Sequence, residues 1–141
     1  MVGGPIEIRL VGPDDFALVT EVRGIFDNPP IPEQTRDFLA SDREFLWLAF
    51  CDGEITGFVS ATSILHPDKL PHLFVNELET REGFRRRGIA TRLMRTVQDY
   101  GKAQGLWPIW VAAEGDDAQA IAFYRSLGDM EERGATVFEW E

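Results

Sequence analysis

Apolar and polar positions alternate over residues 6–11, with Ile6, Ile8 and Leu10 on one side and Glu7 and Arg9 on the other. A period of two is the signature of a half-buried strand, because successive side chains point to opposite faces. From Pro13 the period changes. Phe16, Val19, Val22, Ile25 and Phe26 recur at helical spacing, with Asp14 or Asp15 suited to the cap, until the prolines at 29, 30 and 32 stop the helix. Pro32 and Glu33 open a second, shorter helix through Phe38 and Leu39. Residues 44–51 and 55–65 are rich in aromatic and β-branched side chains, and Asp52-Gly53 between them predicts a hairpin.

Beyond the turn at His66-Pro67-Asp68, residues 73–80 predict another strand. Residues 89–102 predict an amphipathic helix with Ile89, Leu93, Met94, Val97 and Tyr100 turned inward. A buried-type strand over 108–113, a helix over 118–127 ended by Gly128, and a last strand over 136–140 complete the chain. Strands paired as hairpins thus give way to strands linked through helices. The expected fold is α/β: a central mixed sheet, mostly antiparallel, with helices on both faces. The proline-rich stretch 27–32 is too short to separate domains and no internal repeat occurs, so residues 1–141 are expected to form one domain.

Composition supports a packed fold, with 44% hydrophobic and 27% charged residues in 141. The balance of 24 acidic against 14 basic residues gives a net charge of −10, which repels nucleic acid and favours a cationic ligand, although acidity that serves solubility gives the same number. Cys51 is the single cysteine, so no internal disulfide and no zinc-type cysteine pair can form. A reducing, cytoplasmic setting fits, and no metal is expected. The first residues lack a basic flank before an apolar run, and no apolar stretch approaches the ~20 residues that span a bilayer, so no membrane partner is expected. Trp47, Trp107, Trp110 and Trp140 lie in or beside predicted strands and are expected in the core or a cleft wall. His66 and His72 flank a proline turn and read as polar loop residues, with His72 within reach of a ligand site.

One turn changes this picture from fold to chemistry. The strand over 73–80 runs into Arg85-Arg86-Arg87-Gly88-Ile89-Ala90, and a helix starts there. Gly88 and the small Ala90 let main-chain N–H groups approach a ligand, and the helix adds its unpaired donors and the positive end of its dipole. The Thr91 hydroxyl is a further donor, and three arginines concentrate positive charge on an acidic protein. A diphosphate suits such a turn; a solvated basic cap on a helix is the plainer reading. The Gly-Lys-Ser/Thr of a mononucleotide loop and the glycine pattern of a dinucleotide fold are both absent.

Arg85-x-x-Gly88-x-Ala90 after a strand, followed by AQAIAFYRSLG over 118–128 after the next strand, resembles the GNAT family of N-acetyltransferases. The likeness extends from the first strand to the last, although residues 1–65 match in layout only. The resemblance implies a splay between the fourth and fifth strands and acetyl-CoA as cofactor. It implies that the amides of Arg86, Arg87, Gly88, Ile89, Ala90 and Thr91, with Arg85, hold the CoA pyrophosphate, and that Leu78, Glu79 and Thr80 run along the pantetheine arm. Tyr124 falls on the tyrosine that protonates the departing thiol. Two departures stand out: Asp117 replaces the usual asparagine on the CoA side, and Asp129 replaces the phenylalanine expected after Leu-Gly.

Acyl transfer to an amine requires a proton acceptor at the acceptor end. Glu77 and Glu79 lie two apart on a strand and share one face, with Leu78 and Thr80 on the other. The resemblance favours Glu77 as base, directly or through water; structural pairing of both carboxylates with arginines is the alternative. An amide near Leu78 would stabilise the developing oxyanion. Residues 75–93, 113–120 and 123–128 are similar to the gentamicin-type aminoglycoside 3-N-acetyltransferases. That implies a small cationic amine, with Glu77, Glu79, Glu114, Asp116 and Asp117 receiving its amino groups. Asp116-Asp117 is equally an ordinary helix cap. Protein N-terminal or lysine acetylation, polyamine acetylation, and acyl-CoA binding without turnover are the other readings. A homodimer is within the family's habit, but the sequence carries no unambiguous interface signal.

Overall fold

The computed structural model describes residues 5–141, which fall into two compact units, one running to Val111 and the other Ala112–Glu141. The first unit holds a five-stranded sheet in the order β1 (Ile6–Leu10), β2 (Glu44–Cys51), β3 (Glu54–Ile64), β4 (His72–Thr80) and β5 (Ile109–Val111). Neighbouring strands are antiparallel except β4 and β5, which are parallel. The turn at Asp52-Gly53 adopts positive φ at both residues, as the hairpin signal requires.

Alternation along β2 explains the two layers of helix. Leu46 and Leu48 are buried with Val19, Ile25, Leu39, Ile55 and Phe58, a cluster built on α1 (Phe16–Glu21) and α2 (Pro32–Ala40). Phe45 and Trp47 point the other way and meet Tyr100 of α3 (Ile89–Gln104), each with ring centroids 5.3 Å from it. Ile89, Leu93, Met94 and Val97 complete that contact as a buried stripe. Gly57 makes the close approach possible: a Cβ there would come within 3.1 Å of Ile89 Cγ2 and 2.8 Å of the Glu79 carbonyl.

Three expectations fail for identifiable reasons. The first helix stops at Glu21 rather than near Phe26, because Val22 turns extended and Gly24 adopts a left-handed φ of 71°. The Arg23 carbonyl is taken instead by the Arg81 guanidinium. The fifth strand is shorter than 108–113, since only Leu73, Phe74 and Val75 of β4 pair with it. In the second unit, α4 (Ala118–Leu127) forms as expected, but 136–140 is no strand. Its alternating pattern is present, yet a strand needs a ladder, and Val137, Phe138 and Trp140 are 82%, 75% and 88% exposed. Trp140, Trp107 and Trp110 therefore lie outside the core, and Trp47 alone of the four is buried.

Candidate active site

The site-bearing strand is β4, and a bulge decides which way its carboxylates face. Ser60 of β3 pairs with Glu77 and Ala61 with Val75, so Asn76 is an extra residue in β4. Strict alternation would have put Glu77 on the buried side of Val75, against α3. The inserted residue turns it to the α1–α2 face instead, and Glu79 follows, opposite Phe58. A short polar chain holds the bulge: Asn76 Nδ2 donates to Thr62 Oγ1 at 2.7 Å, and that hydroxyl donates to Glu44 Oε2 at 2.7 Å. The shared face of Glu77 and Glu79 was legible in the sequence; its direction was not.

Glu77 lines a cleft of about 320 Å³ together with Phe26, Asp27, Asn28, Phe38, Phe58 and Ser60, and with the prolines at 29 and 30. Among the lining residues the two charged ones are both carboxylates, Asp27 and Glu77. Desolvation raises the Glu77 pKa above its ordinary value, and the charges of Asp27 and then Glu79 push the same way. Glu79 differs: its carboxylate stands 3.7 Å from Arg85 Nη2, both side chains half exposed. Such a pair contributes little to stability. His66 and His72 meet edge to face at 4.5 Å, and neither lines the cleft.

Beyond Val75 no strand among the described residues accompanies β4 on its β5 side, so residues 76–80 have a free main-chain edge there. This is the splay between the fourth and fifth strands. Leu78 and Thr80 lie on the face opposite the two glutamates, Leu78 paired with Val59. The chain then passes through Arg81 and a single 3-10 turn, Glu82–Phe84, into the arginine-glycine loop. Arg86 and Gly88 both take left-handed φ, 65° and 80°, and Gly88 is the N-cap of α3. Alternating hand along successive amides makes a concavity that suits an anion. No side chain caps α3, so Ile89, Ala90 and Thr91 present the first-turn N–H groups of a sixteen-residue helix. The space where a Gly88 Cβ would stand has no atom within 4 Å. Of the arginines, Arg87 stacks over Phe84 at 4.8 Å and Arg85 Nε donates to the Thr80 carbonyl at 3.4 Å.

In the second unit, Asp117 is the N-cap of α4, and its carboxylate accepts from the Ala120 N–H at 3.0 Å. The helix-cap reading of Asp117 is thus realised in the fold. Glu114 and Asp116 are exposed in the preceding turn. Tyr124 is half buried, and its phenol pKa is raised by burial and then by the Asp117 charge, so it stays protonated at neutral pH. Asp129 adopts a positive φ of 54° directly after Gly128, which ends the helix.

Sequence reading missed Asp27, Asn28 and Arg81. The first two lay in what looked like a connector; the signal was there in a carboxylate and an amide set just before three prolines, a stiff segment with little freedom to lose. Arg81 carried no local signal at all.

The sequence profile of the Acetyltransferase (GNAT) family matches residues 17–129. Streptothricin acetyltransferase of Streptomyces lavendulae is 28% identical over 89 residues, which are 63% of this chain and 45% of that protein. The chain therefore spans less than half the length of this curated relative. A solved aminoglycoside acetyltransferase from an uncultured soil metagenomic sample is similar with a TM-score of 0.83 at 26% identity, over 97% of this chain and 99% of that one. AAC(6')-Iy, solved with the bisubstrate analogue CoA-S-monomethyl-acetylneamine, gives 0.81 at 20% identity, over 98% and 99%.

Proposed function

Since the chain belongs to the Acetyltransferase (GNAT) family, we propose that it transfers an acetyl group from acetyl-CoA to a primary amine of a small cationic acceptor, in the cytoplasm. The observation that carries this reading is the continuity of β4: one strand delivers Glu77 to a carboxylate-lined cleft and runs within eight residues into the uncapped start of α3. Both compact units are read as one N-acyltransferase domain over residues 1–141, supported by a family match that runs across them.

The residues present fit the CoA pyrophosphate: left-handed Arg86 and Gly88, open space before Gly88, and free first-turn amides from Ile89 to Thr91. Arg85, Arg86 and Arg87 supply counter-charge, and the free edge at Leu78, Glu79 and Thr80 suits the pantetheine amides. Bound acetyl-CoA supplies the activated acyl group. Glu77, with its raised pKa, accepts the proton of the acceptor ammonium directly or through one water. The Leu78 N–H donates to the oxygen on which charge develops. Tyr124, kept neutral, gives its proton to the thiolate as it leaves.

A cleft whose charged groups are both carboxylates favours a cation over a neutral or acidic acceptor. An aminoglycoside is the acceptor we favour, with the 3-N position carried by the sequence resemblance, against the 6′ position for which AAC(6')-Iy is named. Glu77 and Asp27, with Glu79, are assigned to its ammonium groups. Glu114 and Asp116 remain candidates for the same role, and Asp117 supports the α4 start beside Tyr124. Release of CoA thiol from acetyl-CoA is the test, with sisomicin, spermidine and a lysine-bearing peptide as acceptors. Turnover of the aminoglycoside, with product NMR locating the acetyl group, is expected; turnover of the peptide alone removes the acceptor assignment, and CoA binding without turnover of any amine removes the enzyme.

A further inference from the structure

Arg81 stands where β4 becomes the cradle, and its main chain and side chain serve different regions. Its N–H donates to the Thr56 carbonyl at 2.8 Å, and its carbonyl accepts from the Phe84 N–H at 2.9 Å, closing the 3-10 turn that leads to Arg85. Its guanidinium reaches the other way. Nε donates to the Ile55 carbonyl at 2.8 Å, and Nη2 donates to the Arg23 carbonyl at 2.6 Å, 58 positions earlier in the chain. Both bonds are charge-assisted, and the planar fork serves two carbonyls that an ammonium could not hold together.

The chain captured at Arg23 is the one that turns at Gly24, buries Ile25 and sets Phe26 edge-on to Phe58 with ring centroids 4.8 Å apart. Asp27 and Asn28 follow and line the cleft. Resting on the reading of that cleft as the amine site, we infer that Arg81 is a positioning residue for the acceptor. Its guanidinium fixes the wall that carries Asp27 into the cleft lined by Glu77, whereas the cradle depends on its main chain alone. Alanine at 81 would therefore damage one substrate site and spare the other.

Two charged groups act on Glu77: Asp27 from this wall, and Glu79 along β4, the latter engaged with Arg85. Burial is the first cause of its raised pKa and both charges add to it, so a wall that drifts away with Asp27 hydrates the base, removes a neighbouring charge and lets it titrate lower. The acid limb of kcat/KM then moves to lower pH, and the selective rise in the amine KM separates this from general loss of structure.

The experiment compares the full chain with Arg81→Ala, Arg81→Lys, Asp27→Asn and the double variant Arg81→Ala/Asp27→Asn, using whichever of sisomicin, spermidine or the peptide is turned over. Arg81→Ala is expected to raise KM for the amine about tenfold, with KM for acetyl-CoA within about twofold of the parent. Lysine recovers part of the loss by reaching one carbonyl. Asp27→Asn moves the acid limb the same way, and the double variant moves it by less than the sum of the two single shifts. Equal rises in both KM values, an unchanged amine KM, or additive limb shifts overturn the proposal. Hydrogen exchange tests the tether without turnover: Arg81→Ala, or Arg81→Lys if alanine does not fold, speeds exchange over residues 22–31 and leaves 82–91 unchanged. Equal change in both segments overturns the tether, while a selective change in a chain inert toward every amine retains it and removes only the acceptor reading.

Discussion

One strand serves both the cradle and the cleft, yet they are made in opposite ways. Residues 85–91 are contiguous, and what they present is mostly main chain: two left-handed residues and an uncapped helix start. The cleft gathers side chains from α1, the loop after it, α2, β2, β3 and β4. A local backbone site tolerates side-chain change except where Cβ itself intrudes. An assembled side-chain site depends on every contact that brings its walls together.

Substitutions at each site sharpen this contrast. The largest effect is expected from Glu77→Gln, which leaves the donor site intact but lowers kcat by about 100-fold or more and removes the acid limb from the pH profile. Because desolvation, Asp27 and Glu79 all raise the Glu77 pKa, that limb in the parent lies above the ordinary glutamate range, and rates fall as pH drops through it. A limb unaffected by the substitution would take the base role from Glu77.

Gly88→Val comes next and breaks the cradle. Its φ of 80° disfavours any Cβ, and the added atoms occupy the space in front of the amides. A rise of about 30-fold in the Kd for CoA, by calorimetry, with the amine KM little changed, is the expected result. Equal damage to both substrates would mean that the two sites are not separable.

Tyr124→Phe is expected to cost about tenfold in kcat, with binding of both substrates retained. Burial and Asp117 raise the phenol pKa, so the alkaline limb that it governs lies above the ordinary tyrosine value and vanishes in the variant. Unchanged rates across the alkaline range would exclude it as the acid. The smallest effect belongs to Glu79→Gln: its pair with Arg85 is half exposed, so thermal unfolding should shift by no more than about 2 °C.

Legibility followed the same division. The turn 85–90 and helix α3 could be read directly, because glycine placement and a 3.6-residue apolar period are properties of neighbouring residues. The hairpin at Asp52-Gly53 was equally local. Failures arose where a distant group intervened. Val22 turned extended and ended α1 before a stretch whose Arg23 carbonyl Arg81 holds, and residues 136–140 had the pattern of a strand but no ladder to join.

By itself the sequence determined the order of strands and helices from β1 to α4, the glycine turn at Arg85 to Ala90 that opens α3, and the placing of Glu77 with Glu79 on one face. Those features are set by dihedral preference and side-chain period, which act over a few residues. Tertiary structure alone decided that the glutamates face the cleft, through the extra residue Asn76, and that Asp27 joins Glu77 there. It also decided where the first helix ends. Each of these turns on a register or a hydrogen bond between segments far apart in the chain, and no local preference specifies such a partner.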